Sequence, residues 1–117
     1  MLFRTGYDKM RHEIDRRVTT TAAGLHAASL PWLRERDVAY VGSDTGQDAT
    51  PSGYREFMLP IHTVGQARMG WWLIDNCDLY ALAQTAELLQ QWDFLLSVAP
   101  IRFEATAGSA VNPIATF

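Results

Sequence analysis

Of the 117 residues only one is a cysteine, Cys77, which excludes a disulfide framework and any CxxC metal or redox pair. Long apolar runs are missing too: the longest, such as residues 94–100, fall far short of the roughly 20 residues a membrane-spanning helix needs. Ten Lys and Arg stand against 13 Asp and Glu, for a net charge of -3. The basic residues are also interrupted. Arg34-Glu35-Arg36-Asp37 alternates in sign, and residues 11–17 contain Glu13 and Asp15 among the arginines. A chain with no basic track has nothing to follow a phosphate backbone, so nucleic acid is not an expected partner. Met1-Leu2-Phe3 runs at once into Arg4 and Gly6 without the apolar stretch of a leader peptide, and the cytoplasm is the expected location. Gly108-Ser109 has neither the Lys-Ser/Thr of a P-loop nor a G-x-S-x-G elbow, so no serine nucleophile is assigned.

What remains is a chain that is 48% hydrophobic and 20% charged, the balance of a packed protein, and its length fits one domain over residues 1–117. Leu2-Phe3-Arg4 reads as a strand fragment ending at Thr5-Gly6. Residues 7–23 mix charge and polarity, end in small residues, and read as irregular. A helical segment is expected over residues 24–36, with Ala27, Leu30 and Leu33 on one face and Pro31 interrupting its hydrogen bonding. Val38-Ala39-Tyr40-Val41-Gly42 reads as a buried strand running into a loop at Ser43-Asp44-Thr45-Gly46. A brief helix fits residues 62–70, and Trp71-Trp72-Leu73-Ile74 a second apolar strand. Asp78 is placed to cap a helix from Leu79 to about Gln90. Residues 93–103 hold one strand or two, divided near Pro100. Alternating strands and helices imply an α/β fold, a mixed sheet with two or three helices. So few elements leave sheet edges open, which implies pairing with another copy of the chain or membership in a larger original.

Two residues stand out chemically. His62 follows Leu59-Pro60-Ile61 at the end of a long loop, and Asp75 ends the apolar strand. Imidazole and carboxylate are the usual ligands of a borderline divalent metal, and a histidine so anchored also serves as a proton donor or acceptor near neutral pH. The ordinary alternatives are an exposed histidine at a helix start and a strand-end aspartate turning the chain. Asp44, at the other strand end, is expected to hold a loop through its side chain. Trp71 and Trp72, being adjacent in a strand, face opposite ways: either is a candidate lining for an aromatic substrate, and at least one is expected in the core.

These blocks, in order, resemble the metal-dependent cyclase and kynurenine formamidase family: Arg4-Thr5-Gly6-Tyr7, Gly24-Leu25 with Trp32-Leu33, Val38 through Thr45, Pro60-Ile61-His62, Gly70 through Leu79, and Thr106-Ala107-Gly108-Ser109-Ala110-Val111-Asn112-Pro113-Ile114-Ala115. The resemblance covers nearly the whole chain but corresponds to the C-terminal half of such a protein. It implies a partial swivelling β/β/α fold, a dimer, a zinc or manganese ion in an intact homologue, and hydrolysis of an aryl formamide such as N-formylkynurenine, or of another small amide or lactam, in tryptophan catabolism. The family's main ligand motif, two histidines and an aspartate closely spaced, belongs to the other half, and neither His12 nor His26 is flanked like it. Tight metal binding by this chain is therefore not expected. Within the resemblance His62 matches an active-site histidine that also touches the metal, and Asp75 stands where the family has glutamate just before Asn76. One methylene fewer draws the carboxylate back by about an ångström, whereas metal–oxygen distances tolerate only about 0.2 Å. The runner-up reading is a non-catalytic remnant or pseudo-enzyme that self-associates.

Overall fold

A computed structural model describes residues 1–14 and 21–117, with the backbone alone over residues 11–14. His12 thus lies outside the described side chains. The chain has a mixed α/β fold in which parallel and antiparallel pairing occur in separate sheets. Residues 1–80 form one compact unit and residues 81–117 another.

In the first unit, β1 (Leu2–Phe3), β2 (Tyr40–Ser43) and β3 (Trp72–Ile74) make a parallel sheet in that order. Leu2 pairs with Gly42, and Tyr40, Val41 and Gly42 pair with Trp72, Leu73 and Ile74. Parallel register sends the ends of β2 and β3 out side by side, so Asp44 and Asp75 leave the sheet from the same edge. Val41 and Trp71 pack with Leu30, Leu33 and Ile61 in the core, each buried side chain stabilising the unit by roughly 1.5–3 kcal/mol before entropy is counted.

Two helices differ from the sequence expectation. Residues 7–23 were expected to be irregular, yet α1 spans Tyr7–Ile14. Its first turn is held from outside: buried Asp44 accepts from the Thr5 amide and hydroxyl, both at 2.8 Å, and from the Asp8 amide at 3.1 Å. Arg4 Nε adds an ion pair with buried Asp8 at 2.9 Å. Residues 15–20 of that expectation lie outside the described residues. Conversely, the helix expected over residues 24–36 shortens to α2 (Ser29–Arg34). Leu25 is drawn into extended pairing, its amide donating to Gln47 O at 2.6 Å and its carbonyl accepting from Ala49 N at 3.1 Å. Pro31 then falls in the first turn of α2, where a missing N–H leaves no bond unmade.

The brief helix expected over residues 62–70 is a π-helical turn, Ile61–Gln66. Its wide bonds, Ala67 N to His62 O at 3.1 Å and Met69 N to Val64 O at 2.9 Å, are of the kind that often marks functional sites. Gly65 is what lets it close on the sheet, since a Cβ there would stand 2.6 Å from Trp71 Cε3. Helix α3 (Tyr80–Leu89) begins where expected, with Asp78 Oδ1 accepting from Tyr80 N at 3.1 Å.

In the second unit β4 (Leu95–Ser97) pairs antiparallel with β5 (Ile114–Thr116), Leu96 opposite Ala115. Phe94 and Phe117 meet beside the pair with ring centroids 5.3 Å apart. Only one strand forms within residues 93–103; its partner comes from the tail. Among the described residues no helix is long and apolar enough to cross a membrane.

Candidate functional site

The site lies at the C-terminal edge of the parallel sheet, where α/β proteins commonly place functional groups. Asp75 is set there by the turn that follows it. Asn76 takes a left-handed φ of 55°, a conformation asparagine tolerates better than most residues. The next two amides then bond back to the β2 loop, Asn76 N to Thr45 O at 2.9 Å and Cys77 N to Ser43 O at 2.8 Å. Buried Gln47 reinforces the same edge, its Nε2 donating to Ile74 O at 2.9 Å.

His62 enters from the first residues of the π-turn and meets Asp75, with Nε2 3.1 Å from Asp75 Oδ2. The structure therefore brings the two sequence candidates together, despite the shorter carboxylate at position 75. A third residue joins them. The fully buried side chain of Asp48 lies 2.6 Å from His62 Nδ1 through Oδ2, and its Oδ1 accepts from Ile61 N at 2.6 Å. The imidazole is thus bracketed by carboxylates, one buried and one partly exposed. Sequence reasoning passed over Asp48, treating it as loop; its one signal was an aspartate between two turn regions, common enough to carry no information.

Electrostatics follow from this bracket. Burial by itself draws the His62 pKa down, but the hydrogen bonds and charges of Asp48 and Asp75 outweigh it and leave the imidazole more basic than an ordinary histidine. Cys77 responds in the opposite sense. Burial, then the nearby Asp75 charge, pushes its thiol pKa up, and Sγ donates to Ile74 O at 3.3 Å. Nothing in this setting activates the thiol toward nucleophilic chemistry.

The other candidates separate cleanly. Trp71 belongs to the core at 4% exposure, whereas Trp72 is 60% exposed and stacks on Tyr40 with centroids 6.1 Å apart. Asp44 has the structural role expected of it, although it anchors a helix as well as a loop. His26 stands apart, beside the Tyr54 ring at 5.5 Å.

Whether these donors suit a metal ion is tested by the His62–Asp75 pair. Neighbouring ligands of one first-row ion, each bonded at about 2.0–2.2 Å, sit roughly 3 Å apart, and the observed 3.1 Å between Nε2 and Oδ2 meets that requirement. Asp48 on the far nitrogen supplies the carboxylate–histidine support that metal-bound imidazoles characteristically have. The pair fits as part of a metal site. Among the described residues no group of three or more His, Cys, Asp or Glu side chains gathers to complete one.

No family model matches the sequence, and no curated protein matches it. Among solved structures, a crystal structure described as that of a novel cyclase superposes with a TM-score of 0.81 at 22% sequence identity. The chain has the fold of the matched part of that cyclase. The match covers 99% of this chain and 39% of the cyclase chain, so this sequence spans about two fifths of the length of the protein whose fold it shares.

Proposed function

We propose that this chain carries the histidine–carboxylate portion of a cyclase-type, metal-dependent hydrolase acting on an aryl formamide or another small amide of the N-formylkynurenine kind. In this reading residues 1–117 are the C-terminal half of such a domain. The observation that carries it is the confrontation of His62 Nε2 with Asp75 Oδ2 at 3.1 Å while Nδ1 is already engaged by Asp48. An imidazole lone pair and a carboxylate facing each other repel unless a positive ion lies between them. A proton fills that role in the isolated pair, and zinc or manganese suits the same two donors. A bound metal would supply a more acidic water and a polarised carbonyl. His62 uses its one open nitrogen, Nε2, either to hold the metal with Asp75 or, where other ligands carry the metal, to hold or move a proton beside the scissile amide. Asp75 sets the charge of the site; of the adjacent tryptophans Trp71 and Trp72, Trp72 is the exposed one.

A second reading has its own support. Among the described residues the two donors fall short of the three-ligand site that catalysis normally requires, which is what a non-catalytic segment that associates with another copy would show.

Zinc titration followed through the ring nitrogen signals of His62 tests the proposal. The expected result is a saturable change at Nε2, weak because two protein donors meet there among the described residues, and absent in Asp75→Ala. A His62 signal indifferent to zinc at every concentration would leave the second reading standing. With the N-terminal half of a cyclase-type domain restored, turnover of N-formylkynurenine at saturating metal assigns the reaction. His62→Ala should lower it by roughly 10²–10⁴-fold, and unchanged turnover would remove His62 from the chemistry.

A further inference from the structure

The carboxylate of Asp48 does two things at once. Through Oδ1 it accepts from Ile61 N at 2.6 Å, and through Oδ2 it meets His62 Nδ1 at 2.6 Å and His62 N at 3.4 Å. Its side chain is fully buried, so it has little water to fall back on and depends on these donors for its charge to be tolerated. An ionised carboxylate only accepts hydrogen bonds, which obliges Nδ1 to carry a hydrogen.

Asp75 lacks that authority over the ring. It is about one third exposed and lies at 3.1 Å, with solvent competing for its oxygens. The backbone around Asp48 is also held on its other side. Leu25 N bonds to Gln47 O and Ala49 N to Leu25 O, while Ala22 and Thr50 exchange both of their bonds at 3.0 and 2.9 Å. This pairing passes directly over Gly24, where a Cβ would stand 2.4 Å from Asp48 C. The segment 22–25 therefore clamps the residue that clamps His62.

We propose that Asp48 is a positioning residue that holds His62 in its Nδ1–H form and ring orientation, so that Nε2, turned toward Asp75, is the ring atom presented to the site. The inference rests on the metal-site reading above for its purpose, but the geometry of Asp48 and the test below stand without it.

The discriminating readout is the tautomer. In long-range nitrogen–proton spectra of the histidine-labelled chain, taken at a pH where the ring is neutral, His62 should carry its hydrogen on Nδ1. Asp48→Asn keeps an oxygen for Ile61 N but presents an amide N–H to Nδ1, so the hydrogen should move to Nε2. Zinc affinity in that variant should drop by roughly 10–100-fold. In Asp75→Asn the hydrogen should stay on Nδ1. A purely structural role for Asp48 would change stability without moving the hydrogen. Should Asp48→Asn fail to fold, the parent spectrum alone decides: hydrogen on Nε2 in the neutral ring overturns the proposal. Zinc binding to none of the variants, with the tautomer moving as described, would sink the metal reading and uphold the positioning role.

Discussion

At the scale of single residues the chain uses buried carboxylates as organisers. Asp44 and Asp48 are buried, at 0% and 2% exposure, and each gathers donors from a distant part of the sequence. For Asp44, burial alone would raise the pKa, but the bonds from the Thr5 and Asp8 amides and the Thr5 hydroxyl prevail and hold it below the ordinary carboxylate value. A carboxylate depressed in the folded state contributes stability that is present above its unfolded pKa, near 4, and lost as pH falls through the lower folded value. Denaturant melts taken stepwise from neutrality down to about pH 2 should show that loss in the parent. Asp44→Asn, which keeps one good acceptor where two were used, should cost about 1–3 kcal/mol at neutral pH and flatten the acid limb. An unchanged acid limb would mean that other carboxylates govern it. The asparagine at position 76 acts by conformation: its left-handed φ turns Asp75 back toward the β2 loop.

At the scale of elements, two close approaches decide whether the site assembles. Gly65 allows the π-turn to lie against Trp71, and Gly24 allows the 22–25 segment to lie against Asp48 and Ala49. The two should differ on substitution. At Gly65 the obstacle is an indole ring, which can shift within a core at a cost of about 1–3 kcal/mol. At Gly24 the obstacle is the Asp48–Ala49 peptide backbone, which cannot turn away as a side chain can. Gly24→Ala should therefore destabilise more than Gly65→Ala in thermal melts and should also disturb the His62 ring signals. Equal losses would show that the 22–25 pairing gives way without consequence. The π-turn itself places His62 at its start with its side chain reachable from both carboxylates, which a strand or an extended loop at this position would not do.

At the scale of the molecule, the chain exposes more large apolar side chains than scattered surface residues account for. Phe57 and Met58 are 47% and 81% exposed, and Trp72 60%. In the second unit Leu88, Trp92 and Leu95 reach 84%, 67% and 69%. Apolar surface in such amounts is usually covered, by another copy of the chain or by the rest of a larger domain, as a three-stranded parallel sheet ordinarily has both faces and both edges covered. Sedimentation velocity over a concentration series should show reversible self-association of the 117-residue chain. A single monomeric species at every concentration would defeat that expectation.

Sequence alone determined most of the elements whose cause is local. The apolar runs around Val41 and Leu73 formed strands within a residue or two of their expected bounds, and Asp78 capped its helix, because strand burial and N-capping act over a few neighbouring residues. His62 and Asp75 were legible as candidate residues from their types and places at element ends, and the structure sets their side chains 3.1 Å apart. What needed tertiary structure was everything caused at a distance. Helix α1 exists where a polar stretch looked irregular because Asp44, 36 residues beyond Asp8, supplies its cap. The 24–36 helix shortened because Leu25 found partners at residues 47 and 49. Asp48 became a member of the site only when a loop folded back over the π-turn, 14 positions on. A carboxylate's role is set by the donors brought to it, and donors drawn from remote segments leave no pattern in the local sequence.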